Sequence, residues 1–231
     1  RLYAGENLGL ELDNTIYALD STTIDLSLTL FPWADFRSTK AGIKLHTQLD
    51  LRGPIPVVID ITEARQHDVL WLDELIFEAA AFYVMDRGYV DFARLARIAQ
   101  AGAFFVTRAK DNLRFTRHRS LPVSFAEGLR SDQMGQLTRA KSREAFPWPL
   151  RRVHYFDAET KRHLVFLSNN LQIPALSVAR LYKLRWQVEL FFRWIKQNLR
   201  IKHFFGNSGN AVRTQIWISV AVYVMIAILH K

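Results

Sequence analysis

The chain has 231 residues, of which 49% are hydrophobic, 31 are Lys or Arg and 22 are Asp or Glu, and it contains no cysteine. This length predicts one domain, or one domain with a large insertion, and the apolar content excludes a disordered basic tail. Without cysteine the chain has no disulfide, thiolate zinc site or cysteine nucleophile, which fits a reducing cytoplasm.

Charged side chains are unevenly placed along the chain. Residues 1–86 carry a net charge of −8, residues 87–162 carry +9 and residues 163–231 carry +8, so the formal net charge of +9 conceals a step from acidic to basic. From Thr160 to Lys231 the one carboxylate side chain is that of Glu189. Clustered Lys and Arg gain affinity for polyphosphates by displacing counterions, so these stretches predict a polyanionic partner.

The first half of the chain predicts a mixed sheet with helices on its faces. Alternating and β-branched segments predict strands that pair as an antiparallel three-strand meander, and compact apolar runs predict buried parallel strands. The meander consists of a first strand that ends at Asp20, with alternation continuing at Ile24–Leu28, and of strands at Gly42–Leu51 and Pro56–Thr62. A helix follows at Asp68–Glu78, with Val69, Leu72, Leu75 and Ile76 inward. The next segments are a buried strand at Ala81–Met85, a helix at Phe92–Ala101 capped by Asp91, and a buried strand at Ala103–Thr107.

The sequence pattern changes at the start of the second half. Residues 108–162 lack a helical period and are rich in Arg and turn residues, which predicts a β-rich insertion. A buried strand at His163–Ser168 and a long helix from Pro174 to about Arg200 follow. The apolar run Ile216–Leu229 is shorter than the ~20 residues that a bilayer requires, so it predicts a buried core helix and no membrane partner.

The ends of the chain bear on its completeness. It begins with Arg1, without an initiator methionine, and ends at Lys231 directly after an apolar run. We therefore expect it to be a piece of a longer protein.

Two carboxylates follow predicted strands. Asp20 ends the first strand and Asp86 ends a central buried one. Functional groups gather at the carboxyl ends of strands in open α/β sheets, so these two side chains are candidates to share a metal ion. Each, taken singly, is more often a cap or a turn former.

The long predicted helix places Glu189 in a row of cations. At about 100° per residue the row spans an arc of about 80° beside Tyr182. An ordinary solvated face, held by i,i+4 ion pairs, is the alternative. A face that lies along phosphates, with one carboxylate kept for a metal, also explains why no other acid occurs between residues 160 and 231. The row consists of Arg185, Glu189, Arg193, Lys196 and Arg200.

These residues resemble a known family. The spacing Tyr182-x2-Arg185-x3-Glu189-x6-Lys196 is similar to the Y-R-E-K signature of DDE transposases of the insertion-sequence-four family. The segments YALDSTTIDL, FYVMDRGYVDFARL, AFFVTRAK and LYKLRWQVELFFRWIKQNLRIK resemble that family in the same order. The resemblance extends from about Ile16 to Lys231.

The resemblance implies a fold and a domain organisation. It implies an α/β, ribonuclease H-like catalytic core, a mixed sheet flanked by helices, with a β-rich insertion before the last catalytic helix. Residues 1–107 would then form the first part of the core, residues 108–162 the insertion and residues 163–231 the remainder with the Glu-bearing helix.

The resemblance also implies a site. Asp20, Asp86 and Glu189 would be the catalytic triad and would hold two Mg²⁺ or Mn²⁺ ions, which prefer hard oxygen ligands. Two ions suit in-line phosphoryl transfer, in which one oxygen attacks and another leaves. The cationic row and its tyrosine would contact DNA, chiefly to position the strand. These contacts are Tyr182, Arg185, Arg193, Lys196 and Arg200.

The implied activity is metal-dependent cleavage of DNA at transposon ends and joining of the freed 3′-hydroxyl to target DNA. The implied partners are double-stranded DNA, at both transposon ends and target, and a second copy in the synaptic complex of a full-length protein. The expected location is the cytoplasm, at the nucleoid when bound to DNA. Relatives normally carry a substantial DNA-binding region before the first catalytic Asp, whereas only 19 residues precede Asp20.

Two alternatives from other classes remain open. The chain is either an active core or a truncated, inactive remnant that only binds DNA through its basic stretches. A structure-specific nuclease of the same fold, without strand transfer, is the second alternative.

Overall fold

The computed structural model describes residues 12–37, 40–198 and 204–229, and it divides them into two compact units. The described residues of the first unit fall within 18–70 and 186–229, and those of the second unit within 12–17 and 71–185. Each unit combines strands with helices, so the architecture is mixed α/β.

The first unit contains the strands that the sequence predicts as a meander. They are β1 (Ile16–Leu26), which belongs to this unit from Ala18 onward, β2 (Asp35–Arg37), β3 (Lys40–Asp50) and β4 (Ile55–Glu63). β3 lies next to β1, β2 and β4 and pairs antiparallel with β4, from Ile43 opposite Glu63 to Asp50 opposite Ile55. The strands predicted at Gly42–Leu51 and Pro56–Thr62 are confirmed, whereas the first strand continues past Asp20 to Leu26. β2, with three residues, is too short to show a periodicity.

The second unit contains a mixed sheet flanked by helices. Its strand order is β5-β6-β10-β9-β8-β7, with β5 and β6 parallel and each later pair antiparallel. Helices α1 and α3 pack against this sheet. The elements are β5 (Phe82–Met85), α1 (Phe92–Gln100), β6 (Phe104–Arg108), β7 (Phe115–Leu121), β8 (Leu129–Leu137), α2 (Ala140–Ala145), β9 (Leu150–Asp157), β10 (Arg162–Ser168) and α3 (Ala175–Leu184).

Several predictions for this unit are confirmed. All four residues of β5 are buried, as expected for a central parallel strand. Asp91 caps α1, because its side chain accepts a hydrogen bond from the backbone N–H of Arg94. Residues 108–162 contain three strands and one short helix, which agrees with the predicted β-rich composition. The limits of that insertion stay a prediction.

The prediction of a helix over Asp68–Glu78 is wrong. A 3₁₀ helix covers only Asp68–Asp73, and although Leu72 and Leu75 are buried as expected, Ile76 is 93% exposed. At the far end of the predicted helix, the carboxylate of Glu78 accepts a hydrogen bond from the Tyr17 hydroxyl at 2.6 Å, and its backbone N–H donates to the Tyr83 hydroxyl. These bonds engage Glu78 outside any helical ladder.

The helix predicted from Pro174 to Arg200 is also corrected. The chain forms α3 and a separate α4 (Trp186–Asn198), with Arg185 as a turn between them. The backbone N–H of Arg185 donates to the carbonyl of Tyr182, three residues back, instead of the fourth residue back that an α-helix requires. The single helical arc calculated from Tyr182 to Arg200 therefore stays a prediction.

The last helix, α5 (Gly209–Leu229), differs from the buried core helix that its apolar run predicts. Only three of its residues are buried, Val212, Ile216 and Val220. It belongs to the first unit, where the Tyr223 hydroxyl donates to the carbonyl of Pro54 at 2.9 Å. Of the residues that the structure describes, only those of α5 form a helix long and apolar enough, by length and composition, to cross a membrane.

Candidate functional site

Asp86 directly follows the buried strand β5 and is partly exposed. Its Oδ1 atom accepts a hydrogen bond from the hydroxyl of Tyr182 at 3.3 Å, and its backbone carbonyl accepts one from Oγ1 of Thr107 at 3.2 Å. Thr107 lies on the neighbouring parallel strand β6 and Tyr182 on α3. The predicted position of Asp86 at the carboxyl end of a central strand is confirmed.

Tyr182 is the centre of a compact group of side chains. Its ring lies 4.8 Å from that of Phe166, centroid to centroid, and the guanidinium of Arg185 lies 5.7 Å from the ring centre. Burial raises the pKa of Tyr182 to about 12, and the charge of Asp86 adds to this effect, whereas Arg185 and Arg108 oppose it. The phenol is therefore protonated at neutral pH, and it donates its hydrogen to Asp86.

The structure thus brings three of the predicted residues together in the second unit: Asp86, Tyr182 and Arg185. It adds Arg108, at the end of β6, whose charge acts on Tyr182. Sequence reasoning missed Arg108 as a site residue, although it lies in the segment AFFVTRAK. The signal was an Arg at the carboxyl end of a run of buried residues.

Asp20 and Glu189 belong to the first unit. Asp20 lies within β1 and not at its end, because the strand continues to Leu26; it is partly exposed, and its Oδ1 accepts a hydrogen bond from the backbone N–H of Ser21 at 2.9 Å. Glu189 lies in the first turn of α4 and is exposed. The predicted strand position of Asp20 is therefore corrected.

A polar cluster adjoins Asp20 along the chain. The Ser21 hydroxyl donates to Asp68 at 2.6 Å, and the ammonium of Lys44 lies 2.9 Å from the same carboxylate. Burial works to raise the pKa of Asp68, but the hydrogen bonds from Ser21 and Lys44 outweigh it and lower that pKa. Nearby His46 is buried, and this burial lowers its pKa to about 4. Alternation on β3 predicted the strand but not this cluster.

The side chains of Asp20, Asp86 and Glu189 offer carboxylate oxygens, which are the ligands that Mg²⁺ and Mn²⁺ prefer. Within the described ranges, no group of three or more His, Asp or Glu side chains is placed to hold an ion. Asp86 belongs to one unit, and Asp20 and Glu189 belong to the other. The two-ion triad stays a prediction.

A family comparison decides the class of this chain. Residues 11–225 match the model of a family described as the transposase DDE domain. The chain belongs to this family.

Several transposases are similar in sequence. A putative transposase, y4zB, of Sinorhizobium fredii is 38% identical over 218 residues, which cover 92% of this chain and 60% of that protein. A probable transposase for insertion sequence element IS5377 of Geobacillus stearothermophilus is 30% identical, over 96% of this chain and 58% of the relative. A putative transposase for element IS4SA of Synechocystis is 24% identical, over 93% and 60%. The chain therefore spans about three fifths of the length of these relatives.

One solved structure shows a weaker likeness. It is a piggyBac transposase synaptic complex with hairpin DNA, with 13% identity and a TM-score of 0.48, and the match covers 92% of this chain and 45% of that chain.

Two further predicted DNA contacts of this DDE-domain chain, Arg193 and Lys196, lie on α4. Arg193 and Lys196 are exposed there, four and seven residues after Glu189, so these three side chains share one side of the helix. Arg200 lies outside the described residues. Contact of these residues with DNA stays a prediction.

Proposed function

We propose that this chain is the catalytic core of an insertion-sequence transposase of the insertion-sequence-four family, with a ribonuclease H-like core. Such an enzyme cuts DNA at the ends of a mobile element and joins the freed 3′-hydroxyl to target DNA. The observation that carries this proposal is the family match over residues 11–225. The hydrogen bond between Tyr182 of the proposed signature and Asp86 of the proposed triad supports it.

In this proposal Asp20, Asp86 and Glu189 hold two Mg²⁺ or Mn²⁺ ions. When bound, such ions activate an attacking water or 3′-hydroxyl and stabilise the leaving oxygen. Tyr182 keeps one oxygen of Asp86 in a fixed direction, because its protonated phenol donates to Oδ1. Thr107 fixes the backbone of Asp86 from the neighbouring strand.

The cations of the proposed signature position the DNA. Arg185 is the residue suited to a bidentate grip on a phosphate, and Lys196 acts as a point charge. Arg193 and Arg200 extend the same basic surface in this proposal. The substrates are double-stranded transposon ends and target DNA, a homodimer forms in the synaptic complex, and the protein works in the cytoplasm at the nucleoid.

Nicking of supercoiled plasmid DNA by a full-length version of the protein, with Mg²⁺ or Mn²⁺, tests the proposal. Asp20→Asn, Asp86→Asn and Glu189→Gln should each lower nicking by at least about 100-fold, because each removes a ligand of the reacting ions. The matched controls are Asp25→Asn, Asp111→Asn and Glu144→Gln, which change exposed carboxylates. A full-length wild-type protein that binds the plasmid without any metal-dependent nicking would instead favour an inactive remnant.

Product analysis separates the remaining alternative. With DNA that carries the element ends, the proposal predicts joined products as well as nicks. Nicks at ends without any joined product would favour a structure-specific nuclease.

A further inference from the structure

Two histidine side chains meet on neighbouring strands of the second unit. His154 lies on β9 and His163 on β10, and Nε2 of His154 lies 3.1 Å from Nδ1 of His163. The ring centres are 5.1 Å apart and the ring planes are tilted by 55°, so the rings meet through their nitrogen-bearing edges and are not stacked. His163 is exposed and His154 is half-buried. The pair therefore presents two imidazole nitrogens at one point of the sheet surface.

The hairpin of β9 and β10 fixes this meeting point. Phe156 pairs with His163 across the two strands, and His154 shares the face of Phe156 because residues two apart in a strand point to the same side. The rings of His163 and Phe156 lie 4.9 Å apart, centroid to centroid. In the connecting turn, Asp157 accepts a hydrogen bond from the hydroxyl of Thr160 at 2.7 Å. The two imidazoles are thus held together in advance, which lowers the ordering cost of binding a ligand.

The distance between the two nitrogens suits two ligands of one metal ion. Imidazole nitrogens lie about 2.0–2.1 Å from a bound transition-metal ion such as zinc, so two nitrogens 3.1 Å apart subtend an angle of about 95–100° at the ion. This angle lies between those of adjacent ligands in tetragonal and in tetrahedral coordination. Each ring offers a lone pair at the facing nitrogen when its hydrogen is on the other ring nitrogen.

The electrostatic surroundings of His154 decide which kind of ion fits. Burial lowers the pKa of His154, and the charges of His163, Arg130 and Arg152 lower it further. The ring is therefore unprotonated at neutral pH, and a proton does not compete for its lone pair. The same positive charges repel a free cation, so binding requires an ion that bonds strongly to imidazole. Affinity for nitrogen ligands reaches its maximum at Cu²⁺, whereas Mg²⁺ prefers oxygen.

We propose that His154 and His163 form a binding site for Cu²⁺. Nε2 of His154 and Nδ1 of His163 occupy adjacent positions around the ion, and water completes the coordination, because exposed His163 leaves the remaining positions open to solvent. The bound ion links β9 to β10. The site uses none of the carboxylates assigned to Mg²⁺ or Mn²⁺, and binding to it does not depend on the proposed function.

Calorimetric titration of a full-length version of the protein with Cu²⁺, in excess Mg²⁺, tests this proposal. The wild type should bind one tight Cu²⁺ ion more than a variant that combines His154→Gln with His163→Gln. Loss of a group that only orients a metal ligand costs about 10- to 100-fold in affinity, so loss of either ligand should weaken this ion at least about tenfold. Since chelation needs both rings, the combined variant should lose little more than either single variant.

The matched control is His118→Gln, which removes an exposed imidazole from β7 of the same unit. It should leave the affinity of the tight Cu²⁺ ion within about twofold, as expected for a surface substitution away from the site. Equal losses for His118→Gln and His154→Gln would overturn the proposal. Full Cu²⁺ affinity in either His154→Gln or His163→Gln would overturn it as well.

Amide hydrogen exchange locates the ion independently. An ion bound to both strands stabilises the closed hairpin, so Cu²⁺ should slow exchange in β9 and β10 of the wild type and not of the combined variant. Exchange measured without Cu²⁺ establishes that each variant is folded, and His163→Gln, at an exposed position, supplies a change with little effect on packing. Slowing by Cu²⁺ that persists in the combined variant would overturn the assignment to this pair.

Discussion

The hydroxyl of Tyr182 donates a hydrogen bond to Oδ1 of Asp86 across 3.3 Å, although 96 positions separate the two residues along the chain. The bond joins the first residue of the proposed signature to the second residue of the proposed triad. In the sequence Tyr182 is expected to touch DNA, whereas in the structure it touches a carboxylate. We infer that its first task is to orient Asp86.

Replacing Tyr182 by Phe tests this task. The variant keeps the ring against Phe166 but loses the hydroxyl, so nicking should fall by about 10- to 100-fold, as for other residues that orient a metal ligand. The free energy of unfolding should change by only about 1 kcal/mol, the value of one hydrogen bond. Metal-dependent plasmid nicking and urea denaturation measure the two effects.

The control for this change is Tyr155→Phe, which removes a hydroxyl from β9 in the same unit. Nicking by the control should equal that of the wild type. Full nicking activity in Tyr182→Phe would show that the Tyr182 hydroxyl does not orient Asp86 for the reaction.

Alkaline titration gives an independent view of the same phenol. Its pKa is raised from 10.0 to about 12 in the folded chain, so the folded state holds the proton more tightly than the unfolded state. The resulting stability, of about 2 kcal/mol, is fully present below pH 10 and is lost as pH rises toward 12. The ultraviolet absorbance of tyrosinate should show a phenol that ionises near pH 12 in the wild type. Burial also raises the pKa of Tyr83, so Tyr182→Phe should lose one phenol's share of the late absorbance change and not all of it. If the late change keeps its full size in Tyr182→Phe, the assignment to Tyr182 is wrong.

The buried ion pair between Arg151 and Asp132 should make a large contribution to the stability of the folded insertion. Both side chains are 3% exposed, and Arg151 also donates to the carbonyl of Ile173, just before α3. Changing Asp132 to Asn leaves a buried cation uncompensated and should cost about 3–5 kcal/mol in the free energy of unfolding. Asp73→Asn, in a more exposed pair with Arg94, should cost no more than about 1 kcal/mol. Equal losses in urea denaturation would contradict this ranking.

The exposed apolar surface of α5 should make the isolated chain prone to self-association. Ile218 is 58% exposed and Met225 is 55% exposed, and clustered apolar groups of this kind attract other apolar surfaces. Ile218→Lys and Met225→Lys should lower light scattering and hydrophobic dye binding without loss of helix. Val212→Lys, at a buried position, should instead unfold the helix packing. Unchanged dye binding in the two exposed variants would locate the apolar surface elsewhere.

The sequence was sufficient to predict strands and helix starts where the local pattern of apolar and polar residues follows from burial. Phe82–Met85 and the start of Phe104–Arg108 are recognisable because a buried strand contains a short apolar run. Asp91 is recognisable because a cap needs a side-chain acceptor before the helix. Asp86 was placed correctly for the same reason, since it directly follows such a run.

The sequence was insufficient where a helix is interrupted at a single residue, or where composition does not reveal what covers a surface. Arg185 is neither Gly nor Pro, and α3 and α4 share one helical period, so nothing in the pattern marks the turn between them. The apolar run of α5 shows that the segment avoids water but not which surface covers it. The bond between Tyr182 and Asp86 depends on packing between a helix and a distant strand, which no local spacing encodes.

The central claim is that Asp20, Asp86 and Glu189 hold the same ions. Iron-mediated cleavage of the polypeptide tests it directly, because Fe²⁺ bound in place of Mg²⁺ generates radicals that cut the nearby backbone in the presence of ascorbate and peroxide. If the three residues hold the same ions, the backbone should be cut close to all three. Excess Mg²⁺ should suppress these cuts, and Asp86→Asn should abolish all of them together. Cuts near Asp20 and Glu189 that persist unchanged in Asp86→Asn would contradict the claim.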